Sequence, residues 1–362
     1  MALQFEADCR PLLIGSLPLD DHAMASRLVF KYTPDIPLWV QLPVHAREGM
    51  IPQFMPGLPG ALTREGHTFV DTAAPDYDQQ VLEFYEEYMA VTGEQLNLDR
   101  SRFTLNAGTA PGFAALMKQL SAQPQSPYAV KGQVTGPFTF CTGIKDENRQ
   151  AIFYNLQLRD VAVKLLSLKA AWQVRQLSDS GCPVIIFCDE PALAGFGTSE
   201  FLGVSRDDVT TCLDEIMAAV HAVGGLVGVH ICANTDWSLA LESQADIVNF
   251  DAYTYFDRFI LYPELIRNFI ASGKILAWGI VPTGDGEYLA KENVNSLTAQ
   301  WYEKVRAVED LGISRRQIAA QSLITPSCGA GTLSPALAER VLLLTREVSD
   351  RLRRELGFES AS

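Results

Sequence analysis

No apolar stretch in this sequence approaches the roughly 18 residues that a membrane-spanning helix needs, and the N-terminus lacks a basic-then-apolar leader pattern. The expectation is a cytoplasmic protein. Basic residues are few: 29 Lys and Arg stand against 43 Asp and Glu, a formal net charge of −14. That balance argues against nucleic acid or an anionic membrane surface as partner. No repeat, linker or charge block interrupts the 362 residues, which leaves a single domain over 1–362 as the reading. The seven cysteines are scattered and odd in number, so a disulfide framework is excluded, and most should be buried thiols or ligands. There are only five histidines, too few to favour a hydrolytic zinc centre built from several His and Asp ligands.

What is present is a core and a rhythm. Hydrophobic residues make up 48% and charged residues 20%, the balance of a globular chain. Apolar runs alternate with amphipathic stretches. Ala129–Gln133, Pro183–Phe187, Leu226–Val229, Ala245–Phe250, Ile275–Val281 and Gln317–Leu323 read as strands. Tyr77–Thr92, Ala107–Leu120, Ala151–Leu177, Ser205–Val223, Arg258–Ala271, Leu289–Leu311 and Ser334–Leu356 read as helices between them, the last with Pro335 at its first position. Near the start, Ile14–Pro18 (IGSLP) reads as a short strand and Asp20 opens a helix. Residues Pro34 to Leu62, rich in Pro, Gly and Met, read as a long ordered loop, either a cover for a site or a packed extension.

At least six strand-then-helix units point to a parallel α/β fold, and both a doubly wound sheet and a (β/α)₈ TIM-type barrel fit that rhythm. Polar residues decide between them. Thr135, Asp189, Glu190, His230, Cys232, Asp251, Thr283 and Cys328 all follow strands, and a barrel gathers such ends at one mouth. The expectation is therefore a barrel with a loop-rich N-terminal extension.

The chemistry concentrates in Leu226–Trp237, LVGVHICANTDW. Residues two apart in a strand share a face, so His230 and Cys232 point the same way. With Cys328 they form a nitrogen and two sulfur donors suited to an open Zn2+ site, with Asp251 as candidate fourth ligand. The competing reading is a buried histidine with two unrelated core cysteines. Asp189 and Glu190, in the CDEP turn, are candidates for binding a substrate ammonium group, for proton transfer or for orienting His230. In KGQVTGPFT, Lys131 is a candidate anion contact, while Gly132 and Gly136 permit close backbone approach. Ser16 and Thr135 are candidate substrate-binding hydroxyls, and Asp189 and Asp251 candidate catalytic carboxylates. Cys188 and Cys212 read as core, Trp237 and Trp278 as packing ahead of pocket lining, His22, His67 and His221 as incidental, and His45 as part of the solvated loop ahead of a lid contact.

Taken together, IGSLP, KGQVTGP, DEPAL, HIC, ADIVNFDA and SCGAGTL resemble the catalytic domain of cobalamin-independent methionine synthase. They also resemble the wider superfamily that includes corrinoid-dependent methyltransferases and uroporphyrinogen decarboxylase. The resemblance implies that His230, Cys232 and Cys328 bind zinc, that Asp251 stands where the family places a glutamate ligand, and that Asp189 contacts the amino-acid acceptor. The implied reaction is methyl transfer to a zinc-activated thiol, homocysteine first and another thiol such as coenzyme M second. Because the chain has one barrel's worth of residues, a methylcorrinoid is the implied donor ahead of a methylated folate. The alternatives are a uroporphyrinogen decarboxylase-like enzyme, which needs arginines around a polycarboxylate, and a non-catalytic barrel that holds a corrinoid or other ligand.

Overall fold

The computed structural model describes residues 5–64, 67–284 and 286–358. Nine strands run in the order β1 (Arg10–Pro11), β2 (Ala61–Arg64), β3 (His67–Val70), β4 (Val130–Thr135), β5 (Val184–Asp189), β6 (Leu226–Ile231), β7 (Ile247–Phe250), β8 (Ile275–Val281) and β9 (Ser322–Pro326). β2 and β3 form a separate antiparallel hairpin; the other seven form one curled parallel sheet ordered β1-β9-β8-β7-β6-β5-β4. All residues of β4, β5, β7, β8 and β9 are buried, which follows from helices covering one face while the curl encloses the other.

An eighth regular barrel strand is absent among the described residues. In its place the extended stretch 35–41 runs between β1 and β4, making parallel bridges Leu38 to Lys131 and Gln41 to Ser16. The amides of Ala129 and Lys131 donate to the carbonyls of Asp35 and Pro37, and that of Gln41 donates to Gly15. Pro37 in this stretch has no N–H to give, and Pro34 and Pro43 flank it, so a continuous ladder cannot form. The loop-rich segment thus bridges to β4 and to Ser16 through isolated pairings.

Register places the polar positions on one level. Thr135 pairs with Asp189, Asp189 with His230, and His230 with Asn249. Below that level the interior is filled by Leu12, Ile36, Ile185, Phe187, Ile247 and Leu323. A Cβ at Gly228 would stand 2.6 Å from the Phe187 ring, so only glycine lets β6 lie against this plug.

Helix boundaries follow local chemistry. Ser205 and Asp208 form a capping box at the start of Arg206–Ala222, and Ser334 caps Pro335–Leu356, which ends in the left-handed Gly357. Four expectations shift. Ile14–Pro18 is not a strand: the first strand is Arg10–Pro11, and within the predicted run only Ser16 makes a bridge, to Gln41. The run Gln317–Leu323 is not one strand: Ser314 caps a short helix, Arg315–Ala320, and the strand is Ser322–Pro326. Arg258–Ala271 divides into Ala252–Phe259 and Pro263–Ala271, with Asp251 capping the first and Pro263 opening the second. Leu289–Leu311 divides where Asn293 forms a capping box for Val294–Glu309. Capping side chains at Ser314 and Asn293, and Pro263 where no side chain caps, set these boundaries over the hydrophobic period. No helix among the described residues is long and apolar enough to cross a membrane.

Candidate metal centre

His230 is the fifth residue of β6, Cys232 follows its end, and Cys328 lies two residues past β9. One donor atom from each lies within 4.8 Å of the other two. The sheet's curl is what joins them, because β7 and β8 separate β6 from β9 in the ladder. His230 is buried, and its Nδ1 meets Asn249 Oδ1 on the neighbouring strand. A carboxamide oxygen only accepts, so Nδ1 carries the proton and Nε2 presents its lone pair. That Nε2 has no hydrogen-bond partner among the described residues. A buried, oriented and unpartnered imidazole nitrogen beside two sulfurs fits Zn2+, and the donor set suits that ion.

The thiols are polarised in opposite directions. Hydrogen bonding from Cys328 and the neighbouring His230 pull Cys232 below the ordinary thiol value, against burial. Cys328, as the donor and itself buried, is held well above the ordinary thiol value. Burial works against a charged His230, but the neighbouring Cys232 and Asp189 and the contact with Asn249 raise it overall. The two thiols next to the imidazole supply the sulfur donors a dication needs once they are deprotonated.

These residues line a cavity of about 400 Å³. Asp189 and Ser16 line it too, with Thr283 from the end of β8 and Gln41, Glu48 and Met50 from the 34–62 loop. Burial raises the Asp189 carboxyl, and its Oδ1 has no partner among the described residues. Two unpartnered groups, Asp189 Oδ1 and His230 Nε2, thus stand on neighbouring strands of one level. Ser16 Oγ accepts from the Gly331 amide; a Cβ on Gly329 would lie 2.2 Å from that oxygen, which accounts for glycine after Cys328.

Other candidates serve the scaffold. Glu190 is fully buried: its carboxylate accepts from the amides of Phe138 and Thr139 at 2.9 and 2.8 Å and from Thr139 Oγ1 at 2.6 Å. It caps helix Pro137–Gly143 instead of lining the cavity, and burial raises it to about 7 against those hydrogen bonds. A Cβ on Gly136 would fall 2.2 Å from the Glu190 carboxyl carbon, so the VTGP glycine makes room for this carboxylate. Thr135 Oγ1 donates to the Met50 carbonyl at 2.6 Å and ties the loop down. Asp251 Oδ1 accepts from the Thr254 amide at 2.8 Å as a helix N-cap, and its oxygens are not in the three-donor cluster. Lys131 is buried below the level, donating to the Ile14 carbonyl at 2.5 Å, with burial lowering it to about 8.

Cys188 and Cys212 are buried thiols, and burial pushes Cys212 up to about 12. Trp237 and Trp278 are fully buried in an aromatic layer with Phe250. The side chain of His67 lies outside the described residues. Sequence reasoning passed over Asn249 and Glu48. The signal for Asn249 was a lone amide in the apolar run ADIVNF; for Glu48 there was none beyond an acid in a loop.

No family model matches the chain, and no curated protein matches it. Similar solved structures include a B12-independent methionine synthase from Shewanella sp. W3-18-1 in complex with selenomethionine. It shares 20% identity over 69% of this chain and 67% of its own, with a TM-score of 0.46. A Listeria monocytogenes protein, provisionally assigned as a vitamin-B12-independent methionine synthase, shares 12% identity over 96% and 98% of the two chains, at 0.47. Tandem GH20 catalytic modules of the pneumococcal exo-β-D-N-acetylglucosaminidase give the same score at 9% identity, over 95% and 85%. At these identities and scores the likeness settles neither family nor reaction.

Proposed function

We propose that this chain is a zinc-dependent methyltransferase that moves a methyl group from a methylcorrinoid, or from a methylated folate, to the sulfur of a small thiol, homocysteine first. The observation that carries the reading is the unpartnered His230 Nε2 set beside the sulfurs of Cys232 and Cys328 in a cavity wall. His230, Cys232 and Cys328 would hold the ion, leaving one position open, with Asp251 a further candidate ligand. Zinc, when bound, supplies the Lewis acidity that keeps an acceptor thiol deprotonated at neutral pH.

The chain's own residues do the remaining work. Asn249 fixes the His230 ring and its tautomer. Asp189, with an unpartnered oxygen on the cavity wall, would take the ammonium group of an amino-acid thiol and regain a partner by doing so. The loop residues Gln41, Glu48 and Met50 narrow the mouth, so thiol and donor meet with little water between them. The stretch 35–41 would complete a closed (β/α)₈ barrel around this centre. The decarboxylase alternative lacks support from the cavity wall, which among the described residues contains no arginine or lysine.

The first test is zinc content of wild type and Cys328→Ala, purified without added metal. About one cysteine-bound zinc per chain, lost in the variant, is expected. Zinc-loaded protein should then form methionine from homocysteine with methylcobalamin or a methylated folate. A wild type that neither contains nor takes up zinc overturns the reading.

A further inference from the structure

We propose that His22, His45 and Glu48 form a second site for a divalent transition-metal ion, one that fastens the 34–62 loop to the helix His22–Tyr32. These residues lie on the opposite side of the sequence from the sulfur-containing triad, and the argument for them is independent of it. One donor atom from each lies within 4.8 Å of the other two. A tetrahedral ion with bonds of about 2.1 Å sets its ligand atoms about 3.4 Å apart, within reach of small side-chain rotations. Two imidazoles and one carboxylate suit zinc and its neighbours in the first transition row.

One hydrogen bond at the cluster is that of a preset ligand. His45 Nε2 faces the Asp20 carbonyl at 3.0 Å, and since a carbonyl only accepts, Nε2 carries the proton and Nδ1 keeps a lone pair. A ring N–H given to a backbone carbonyl is the usual second contact of a ligating histidine. His22 Nε2 lies 2.9 Å from Glu48 Oε1, and an ion seated between them would replace the proton that the two atoms share. The two rings lie 5.8 Å apart between centroids.

Glu48 is the hinge of the proposal. It is 4% exposed, its Oε2 accepts from the Leu42 amide at 3.1 Å, and it lines the same cavity as the triad. A buried carboxylate whose partners are one amide and one imidazole would be neutralised more fully by a dication. An ion there would pull together the start of the first helix, the turn at His45 and the cavity wall.

The test is titration of the metal-free full-length protein with Co2+ alone, read by absorption, and with Zn2+ alone, read by stoichiometry. The triad contains sulfur and gives sulfur-to-cobalt charge-transfer bands; the second site contains none and adds only ligand-field intensity. The expected result is two ions per wild-type chain. Cys328→Ala should keep one, without charge-transfer bands. His45→Gln should lose the other, its affinity falling at least tenfold, with the charge-transfer bands intact. His22→Gln serves as the second variant should His45→Gln fail to fold. Saturation of the wild type at one ion that both histidine variants retain, or no binding by folded Cys328→Ala, overturns the second site. Absence of charge-transfer bands in the wild type speaks only against the triad.

Discussion

Asn249→Ala is the substitution that probes how this centre is held. The Asn249 side chain is fully buried and joins three neighbouring strands: Oδ1 accepts from His230, while Nδ2 donates to the Ala277 carbonyl and to Thr325 Oγ1, both at 2.8 Å. Truncation to alanine strips a partner from each of them. A buried polar group left unsatisfied costs about 1–3 kcal/mol, and with some relief from entering water the net loss of stability should be about 3 kcal/mol. For the metal, loss of the contact that orients a ligating histidine weakens binding about 10- to 100-fold, or about 1.4–2.7 kcal/mol. Asn249→Asp separates the two effects. It keeps an acceptor for His230 Nδ1–H but removes both donated hydrogen bonds, so zinc affinity should stay within about tenfold of wild type while stability still falls. Urea unfolding of the metal-free proteins measures the first quantity; competition against a chromophoric chelator measures the second. If folded Asn249→Ala binds zinc as tightly as wild type, His230 is not a ligand held through Asn249, and the account of the centre given above is wrong.

Other substitutions test the scaffold. Gly136→Ala would drive a methyl group into the Glu190 carboxylate and should cost about 1–3 kcal/mol in urea unfolding; an unchanged midpoint would mean the carboxylate is not fixed there. Thr135→Val removes the 2.6 Å tether to Met50 and should speed proteolytic cleavage within 34–62 while lowering stability by about 1 kcal/mol, and equal cleavage rates would count against the tether. Lys169 is fully buried, donates to the Thr104 carbonyl at 2.8 Å and is lowered by burial to about 7. Between pH 7 and its unfolded value of about 10.4 the unfolded chain binds this proton and the folded chain does not, so Lys169 makes stability rise by up to about 1.4 kcal/mol per pH unit there. Lys169→Met should flatten that rise in urea midpoints taken at pH 7 and 9.5, and a slope equal to wild type would show the lysine stays charged when folded.

Much of the architecture was legible because it is local. Apolar runs marked β4 to β8 to within a few residues, and Ser205, Ser334 and Pro335 marked helix starts by the same chemistry that caps them. The run ending in HIC stood out since a histidine and a cysteine at alternate positions after four apolar residues share a face. Where a segment offered two local solutions, as at Gln317–Leu323, the cap at Ser314 won over the apolar pattern. Residues 34–62 read as loop from their Pro, Gly and Met content, and Pro37 does interrupt a ladder; 35–41 still bridges to β4 and to Ser16.

Sequence alone determined the order of strands and helices and the presence of one nitrogen and two sulfur donors at strand ends, because periodicity, capping and alternation act over a few residues. Tertiary structure decided what each side chain does. Asp189 and Glu190 are adjacent and chemically alike, yet one lines the cavity with an unpartnered oxygen and the other turns away to cap Pro137–Gly143. His22 and His45 carried no signal until Glu48 was placed beside them. The reason is physical: a polar group's role is set by which partners reach it within about 3 Å. Across 96 positions between Cys232 and Cys328, that distance is fixed only by strand register and the curl of the sheet.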